Sequence, residues 1–300
     1  MDCEVVCIDN FSRIPADDCI EEIRRKKAVT WIEDSIENVD LSSLFRNSFD
    51  YIYHLATING TDNFYSQPFT VIESIVTPTF ELIRAIRDSN SLPRRFFLAS
   101  TSEVYASMTE LGFSKIPTSE NTVVGIDDVG NERWSYAAGK IAVESALINA
   151  GKQYGFKWTI GRFHNVYGPR MGKHHFIPDY ISRVLRQEFK VYGPNQTRSF
   201  TYISDAVDQT IQVTTNSITE NRIVNLGSEE EMEIQEVARI ILALMNLGDR
   251  DFQRLDAPRG SVSRRVPNLA FLKSITGDLN QIPLSDGLRS TINWYKNHEY

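Results

Sequence analysis

Short apolar runs that alternate with amphipathic segments constrain the fold of this chain more than any other feature. The runs have the length and residue types of buried strands, and they occupy residues 4–8, 28–33, 51–56, 96–99 and 158–163. Segments with apolar residues at helical spacing follow at 71–88 and 136–154. Strands separated by helices predict an α/β fold with a Rossmann-like, doubly wound parallel sheet. Ligands of such sheets bind beyond the carboxyl ends of the strands.

The pattern changes after residue 166, where turns containing glycine and proline separate shorter elements. We expect a Rossmann-like domain over residues 1–166 and a smaller C-terminal α/β region over residues 167–300. Within that region, about residues 203–227 are predicted to cross back to the main sheet. A single boundary in the sequence is therefore artificial, because the second region contributes to the main sheet.

Charge and composition argue against several classes of protein. The formal net charge of −7 gives no basic surface for nucleic acid, and no apolar run is long enough to span a membrane. The cysteines (Cys3, Cys7 and Cys19) lie close together, and no second Cys or His pair follows at the spacing of a zinc site. We therefore expect reduced thiols, no bound metal and a cytoplasmic protein.

The segment from Phe96 to Lys140 carries the strongest chemical signal. Thr101 follows an apolar strand, and Tyr136 and Lys140 lie four residues apart where a helix begins, so their side chains share one face. A free phenol has a pKa of about 10, and a nearby ammonium is a means of lowering it. Tyr136 is then a candidate base, with Thr101 as its partner, for an alcohol that loses hydride from the same carbon. The alternative interpretation is a solvated Tyr–Lys pair.

Further motifs follow one another along the chain in a fixed order. They are Val-Val-Cys-Ile-Asp-Asn at 5–10, His-Leu-Ala at 54–56, Ser-Thr-Ser-Glu-Val-Tyr at 100–105, Asn-Val-Tyr-Gly-Pro-Arg at 165–170 and Gln-Thr-Arg-Ser-Phe at 196–200. With these motifs, nearly the whole chain from Glu4 to about Tyr295 resembles the extended short-chain dehydrogenases/reductases of the NAD-dependent epimerase/dehydratase family, which act on nucleotide sugars.

The resemblance implies that the first domain binds NAD as cofactor. It also implies that the second region binds a nucleotide sugar as substrate, and we expect this sugar to be UDP-linked. The implied catalytic residues are Thr101, Glu103, Tyr136 and Lys140. The implied NAD-binding residues are Asp9, Asn10, Asp34, Ile36, Leu55, Ala56, Tyr136 and Lys140. The implied substrate-binding residues are Asn165, Arg170, Tyr192, Arg198 and Arg265. For Asp9 the alternative is a loop cap, and for Arg198 and Arg265 it is a surface charge.

The resemblance leaves open which step follows oxidation of the sugar at C4. A 4-ketone allows epimerisation, dehydration or, for a uronic acid, loss of carbon dioxide. Glu103 is unnecessary for simple 4-epimerisation, and the sequences around Glu103 and Arg265 look like those of UDP-glucuronate decarboxylases. The segment 161–168 is instead similar to epimerases of the GDP-mannose type. We expect a nucleotide-sugar epimerase/dehydratase-class enzyme with a 4-keto intermediate, and UDP-glucuronate decarboxylation is the alternative.

The main departure from the family concerns the start of the fold. Relatives open with a strand, a Gly-rich turn and a helix that receives the NAD pyrophosphate, whereas the first glycine here is Gly60. We expect either a truncated sequence or a natural short form that binds NAD poorly, and exposed apolar residues on the strands beside the lost unit. A non-catalytic binding protein on the same fold is therefore a further alternative.

Two smaller departures affect the helices at 71–88 and 136–154. Ile75 replaces an Asn that braces the active site in relatives, and Gly139 replaces a common Ser. Pro78 predicts a kink in the first of these helices. Relatives commonly pair through these two helices in a four-helix bundle, so the resemblance predicts a homodimer.

Overall fold

The computed structural model describes residues 3–13, 15–89, 91–257 and 261–298. The strands in this part of the chain are β1 (Val5–Ile8), β2 (Val29–Ile32), β3 (Tyr51–His54), β4 (Arg95–Thr101), β5 (Trp158–Phe163), β6 (Val166–Tyr167), β7 (Lys190–Tyr192), β8 (Thr197–Ser199), β9 (Thr201–Tyr202), β10 (Arg222–Leu226), β11 (Glu231–Glu233), β12 (Gln253–Leu255) and β13 (Arg264–Arg265). The helices are α1 (Asp18–Arg24), α2 (Leu41–Leu44), α3 (Thr61–Ser66), α4 (Pro68–Asp88), α5 (Glu103–Glu110), α6 (Ser135–Tyr154), α7 (Phe176–Leu185), α8 (Ile203–Thr215), α9 (Ile234–Leu244), α10 (Ala270–Thr276) and α11 (Leu284–Asn297). A 3-10 turn, Glu132–Trp134, leads directly into α6.

The main sheet is parallel, with the strand order β10-β5-β4-β3. Successive residues of a strand face opposite sides of the sheet, and β4 shows the consequence. Phe96 and Leu98 lie in the core that α4 and α6 cover, whereas Phe97 packs with Val213 of α8 and Val224 of β10. Because helices cover both faces of a parallel sheet, the predicted Rossmann-like α/β fold class is confirmed.

β1 and β2 form a separate parallel pair. Val5 and Val6 of β1 are 43% and 36% exposed, and Tyr51 and Tyr53 of β3 are 36% and 39% exposed. Both strands therefore carry exposed apolar or aromatic side chains, and the expectation of a lost Gly-rich unit beside them stays a prediction.

The C-terminal region has a core of its own, in which Ile181 of α7, Val237 of α9 and Leu288 of α11 are almost fully buried. Short strands border this core in the groups β11-β8-β13, β12-β7 and β6-β9. After β9 the chain runs through α8 into β10, which pairs with β5 in the main sheet. The division at residue 166 stays a prediction, since elements beyond it help to build the main sheet.

Helix α4 spans 21 residues and continues through Pro78, where the sequence predicted a kink. In the turn that contains Pro78, the Thr79 hydroxyl donates to the Ile75 carbonyl at 2.6 Å. Neither α4 nor any other helix within the described ranges combines the length and the apolar character needed to cross a membrane.

Gly139 of α6 and Ile75 of α4 fit each other where the two helices meet. Ile75 is 1% exposed, and a Cβ added to Gly139 would lie 2.8 Å from the Ile75 Cδ1 atom. The glycine therefore leaves room for the isoleucine. The two departures from the family pattern compensate each other in packing.

This fit predicts that the effect of Gly139→Ala on stability depends on the residue at position 75. We expect Gly139→Ala to destabilise the protein by about 1 kcal/mol, because overpacking costs roughly 1–3 kcal/mol and the better helix propensity of alanine returns about 1 kcal/mol. In an Ile75→Val background, which lacks Cδ1, the same Gly139→Ala change should be neutral or stabilising. Urea unfolding of the four chains measures both effects, and an equal loss in both backgrounds would contradict the packing argument.

Candidate active site

The carboxyl end of β4 places Thr101 at the edge of the main sheet. The chain then turns directly into α5, and the Thr101 hydroxyl oxygen accepts the backbone N–H of Glu103 at 3.2 Å. Thr101 is 9% exposed, and the neighbouring N–H of Ser102 donates to the Phe163 carbonyl at 3.0 Å. These bonds hold the β4–α5 junction against the end of β5.

Tyr136 and Lys140 lie on the first turns of α6, beside this junction. The Lys140 Nζ donates to the Ala99 carbonyl at 2.7 Å and lies 5.6 Å from the centroid of the Tyr136 ring. Burial lowers the pKa of Lys140 to about 8, although the negative charge of Glu144 opposes this shift. The structure therefore brings Thr101, Tyr136 and Lys140 to one edge of the sheet.

The electrostatic surroundings of Tyr136 differ from those predicted. Burial and then the negative charge of Glu103 raise the pKa of Tyr136 above the ordinary value of a phenol, and the cation of Arg13 opposes them only in part. The Lys140 ammonium donates to the Ala99 carbonyl, and the lowering of the Tyr136 pKa by Lys140 stays a prediction.

Glu103 lies between two arginines that approach from distant parts of the chain. Its Oε2 accepts from Arg133 Nη2 and its Oε1 accepts from Arg265 Nη1, each at 2.7 Å. Burial acts to raise the pKa of Glu103, but the charges and hydrogen bonds of Arg265 and Arg133 outweigh it and lower the pKa to about 2. Glu103 is therefore a fixed, ionised carboxylate, and we call Glu103, Arg133 and Arg265 the carboxylate clamp.

Arg198 lies beside the clamp because β8 and β13 pair in a register that sets Arg198 against Arg265. Its guanidinium donates to the carbonyls of Thr197 at 2.7 Å and Val262 at 2.6 Å. Burial, and then the charge of Arg265, lower the pKa of Arg198 to about 9. Arg198 is therefore a half-buried side chain bonded to backbone carbonyls and not a freely solvated surface charge.

The other predicted substrate residues are spread around this group. Asn165 adopts a positive φ of 39° and donates from Nδ2 to the Ser199 carbonyl at 2.9 Å. Tyr192 is 46% exposed and precedes a cavity of about 390 Å³ lined by residues 193–196, 254–257 and 263. Arg170 pairs instead with Asp17 and contacts the Pro15 carbonyl, so it lies apart from the clamp.

The predicted NAD-binding residues follow the ends of β1, β2 and β3. Asp9 is exposed and its Oδ1 accepts the Phe11 N–H at 2.8 Å, while Asn10 donates to the Ser35 hydroxyl at 2.9 Å. Asp34 accepts the N–H of Ser35 at 2.7 Å. The remaining predicted contacts are apolar: Ile36 is 9% exposed, Leu55 is 56% exposed and Ala56 is exposed.

This edge fits the two ribose groups of a dinucleotide. The exposed Asp9 carboxylate is an acceptor suited to ribose hydroxyls. The Lys140 ammonium has three donors, and its bond to Ala99 uses one of them. The described residues contain no group of three or more His, Cys, Asp or Glu side chains able to hold a metal ion.

Sequence reasoning missed several side chains that shape this edge. Arg133 contributes to the clamp, and Phe64 of α3 stacks on Tyr136 with centroids 5.1 Å apart and an interplanar angle of 16°. Glu144, four residues after Lys140, forms a buried ion pair with Arg162 at 2.6 Å. A charged residue inside the otherwise apolar run 158–163 was a signal for such a buried pair.

The chain is similar to known proteins over most of its length. The chain matches the NAD dependent epimerase/dehydratase family over residues 2–227. It is 32% identical over 264 residues to the UDP-N-acetyl-alpha-D-glucosaminuronate decarboxylase of Bacillus cytotoxicus, covering 84% of this chain and 78% of that protein. It is 29% identical to UDP-glucuronic acid decarboxylase 1 of Xenopus tropicalis, covering 98% of this chain and 66% of that protein.

A solved structure shows the same fold. The UDP-glucuronic acid 4-epimerase of Bacillus cereus, in complex with UDP-glucuronic acid and NAD, superimposes with a TM-score of 0.83 at 22% identity and covers 98% of this chain and 91% of that chain. The relatives are enzymes, and the cofactor prediction is confirmed at the level of an NAD-dependent family. Sequence and fold together show that this chain belongs to the NAD dependent epimerase/dehydratase family.

Proposed function

We propose that this chain is an NAD-dependent nucleotide-sugar epimerase/dehydratase-class enzyme that works through a 4-keto sugar. The observation that supports this most directly is the placement of Thr101, Tyr136 and Lys140 at the carboxyl edge of a parallel sheet, where ligands of such sheets bind. When bound, NAD supplies the hydride acceptor and a positive nicotinamide ring that favours a neighbouring phenolate.

In this proposal Tyr136 removes the proton from the C4 hydroxyl, and Thr101 orients that hydroxyl by hydrogen bonding. Lys140 holds the nicotinamide ribose, and Asp9 accepts hydrogen bonds from the adenosine ribose. Asn10, Asp34, Ile36, Leu55 and Ala56 complete the NAD-binding edge. Since burial and Glu103 raise the Tyr136 pKa, the phenol depends on the positive charges of the bound state to become a base.

The C-terminal region supplies the groups for a nucleotide diphosphate sugar. We assign the base to the cavity that follows Tyr192 in the chain, because Tyr192 is 46% exposed and the next residues, Gly193 to Gln196, line that cavity. Arg198 lies near it, since its Nη2 donates to Gln196 Oε1 at 3.1 Å and Gln196 lines the cavity. Asn165 and Arg265 are assigned to the sugar and its phosphates, for which the guanidinium fork is well suited. Arg170 pairs with Asp17 apart from the clamp, and its part in substrate binding stays a prediction.

The carboxylate clamp favours a second candidate, UDP-glucuronate decarboxylation. Simple transfer of hydride at C4 needs no carboxylate at position 103. A buried Glu103 that is paired with two guanidinium groups gives the site one excess positive charge. Such a charge suits a substrate that carries its own carboxylate.

Product analysis decides between these candidates. We expect the full chain, supplied with NAD, to convert at least one of UDP-glucuronate, UDP-glucose and GDP-mannose to a product that NMR identifies. Loss of carbon dioxide from UDP-glucuronate would establish the second candidate. No conversion of any of the three would overturn both and favour a non-catalytic binding protein on this fold.

We also propose a homodimer in which α4 and α6 of two copies form a four-helix bundle. Phe69, Ile72 and Phe80 share one face of α4 and are 72%, 37% and 37% exposed. We expect light scattering to give a dimeric mass for the wild type and a monomeric mass for Phe69→Glu. Phe113→Glu is the control, because Phe113 is 69% exposed but lies outside these helices. A monomeric wild type would contradict the proposal.

A further inference from the structure

Arg133 connects the carboxylate clamp to the candidate base. It lies in the 3-10 turn before α6, three residues ahead of Tyr136. Its side chain is 7% exposed, and its Nη2 donates to Glu103 Oε2 at 2.7 Å. Among the described residues, its Nη1 is buried without a hydrogen-bond partner.

Aromatic rings hold the guanidinium from the other side. The Arg133 Cζ atom lies 5.4 Å from the centroid of Phe64 and 5.1 Å from that of Trp134. Phe64 in turn stacks on the Tyr136 ring at 5.1 Å. One side chain therefore contacts both the carboxylate at position 103 and the ring that packs on Tyr136.

The charged groups that act on Tyr136 and Glu103 come from several neighbouring elements. Glu103 and Arg13 act on the Tyr136 phenol, and Lys140 lies 5.6 Å from the centroid of its ring. Arg133 and Arg265 act on Glu103. Glu103 also influences His175 and Arg198 on neighbouring elements. Of these groups, Glu103 is the one whose charge favours the protonated phenol.

We propose that Arg133 is a positioning residue for the reaction proposed above: it fixes the Glu103 carboxylate and offsets its charge at the Tyr136 phenol. This inference rests on the proposed function. Arg265 of β13 also pairs with Glu103 and offsets its charge in the same way. Loss of Arg133 leaves Glu103 more weakly compensated, so the phenol becomes harder to deprotonate.

Three variants test this role: Arg133→Met, Arg133→Lys and the double variant Arg133→Met/Glu103→Gln. Methionine keeps an apolar contact with Phe64 but removes the charge, whereas lysine keeps the charge. We expect the acidic limb of the kcat/KM profile to move to higher pH by about one unit in Arg133→Met. It should stay near the wild-type position in Arg133→Lys and move back in the double variant.

The measurement is the pH dependence of NADH absorbance and of product formation with whichever of UDP-glucuronate, UDP-glucose and GDP-mannose the wild type converts. The inference would be overturned if the acidic limb stays in place in Arg133→Met, even if the rate falls. It would also be overturned if adding Glu103→Gln does not move the limb back. A merely structural Arg133 would lower the unfolding temperature and the rate at every pH. A wild type that converts none of the three nucleotides would overturn the proposed function itself.

Discussion

Replacing Tyr136 with phenylalanine will remove nearly all product formation while the fold is retained. Without the hydroxyl there is no base to take the proton from the substrate alcohol, and loss of a general base lowers rates by roughly 100- to 10,000-fold. Phenylalanine keeps the ring that stacks on Phe64 at 5.1 Å, so the packing of α3 on α6 should persist. Product NMR and the thermal unfolding midpoint measure the two effects separately.

Tyr167→Phe is the matched control for this substitution. Tyr167 is also buried, and its hydroxyl donates to the Leu284 carbonyl at 3.3 Å in the C-terminal core. Its loss should cost about 1 kcal/mol of stability and leave the chemistry unchanged. A Tyr136→Phe chain that keeps its rate within a few-fold of the wild type would remove Tyr136 from the role of base.

The parts of the site that depend on local spacing could be predicted from the sequence. The alternation of strands and helices predicted the parallel sheet. The four-residue spacing of Tyr136 and Lys140 predicted that their side chains share one face of α6. Side-chain direction was not predictable in the same way. A lysine has several rotamers, and only the fold shows that the Ala99 carbonyl accepts its ammonium.

Contacts between distant segments could not be predicted from one sequence. Arg265 meets Glu103 across 162 positions because β13 pairs with β8, and that pairing is a property of the whole C-terminal region. Arg133 belongs to none of the motifs in the sequence, so its contact with Glu103 could not be predicted although it lies close to Tyr136 in the chain. The fit of Ile75 to Gly139 likewise depends on how α4 crosses α6.

Replacing Glu103 with glutamine will have the largest expected effect on the dependence of stability on pH. The carboxyl has a folded pKa of about 2 against an ordinary value of 4.5, so ionised Glu103 stabilises the folded state. By linkage this contribution is about 3 kcal/mol, is complete above pH 4.5 and is lost as the pH falls towards 2. In Glu103→Gln the free energy of unfolding should therefore be lower at neutral pH and should fall less steeply on acidification.

The size of the neutral-pH loss depends on what remains in the clamp. Removing one partner of a buried ion pair typically costs about 3–5 kcal/mol, because the other charge is left uncompensated, and here Arg133 and Arg265 both lose their counter-charge. Glu231→Gln is the control, since Glu231 pairs with Arg264, which is 50% exposed, and such pairs contribute about 1 kcal/mol or less. Urea unfolding of the three chains between neutral pH and the acid transition measures both quantities. If Glu103→Gln unfolds in acid with the same slope as the wild type, then Glu103 is not held ionised by the two arginines.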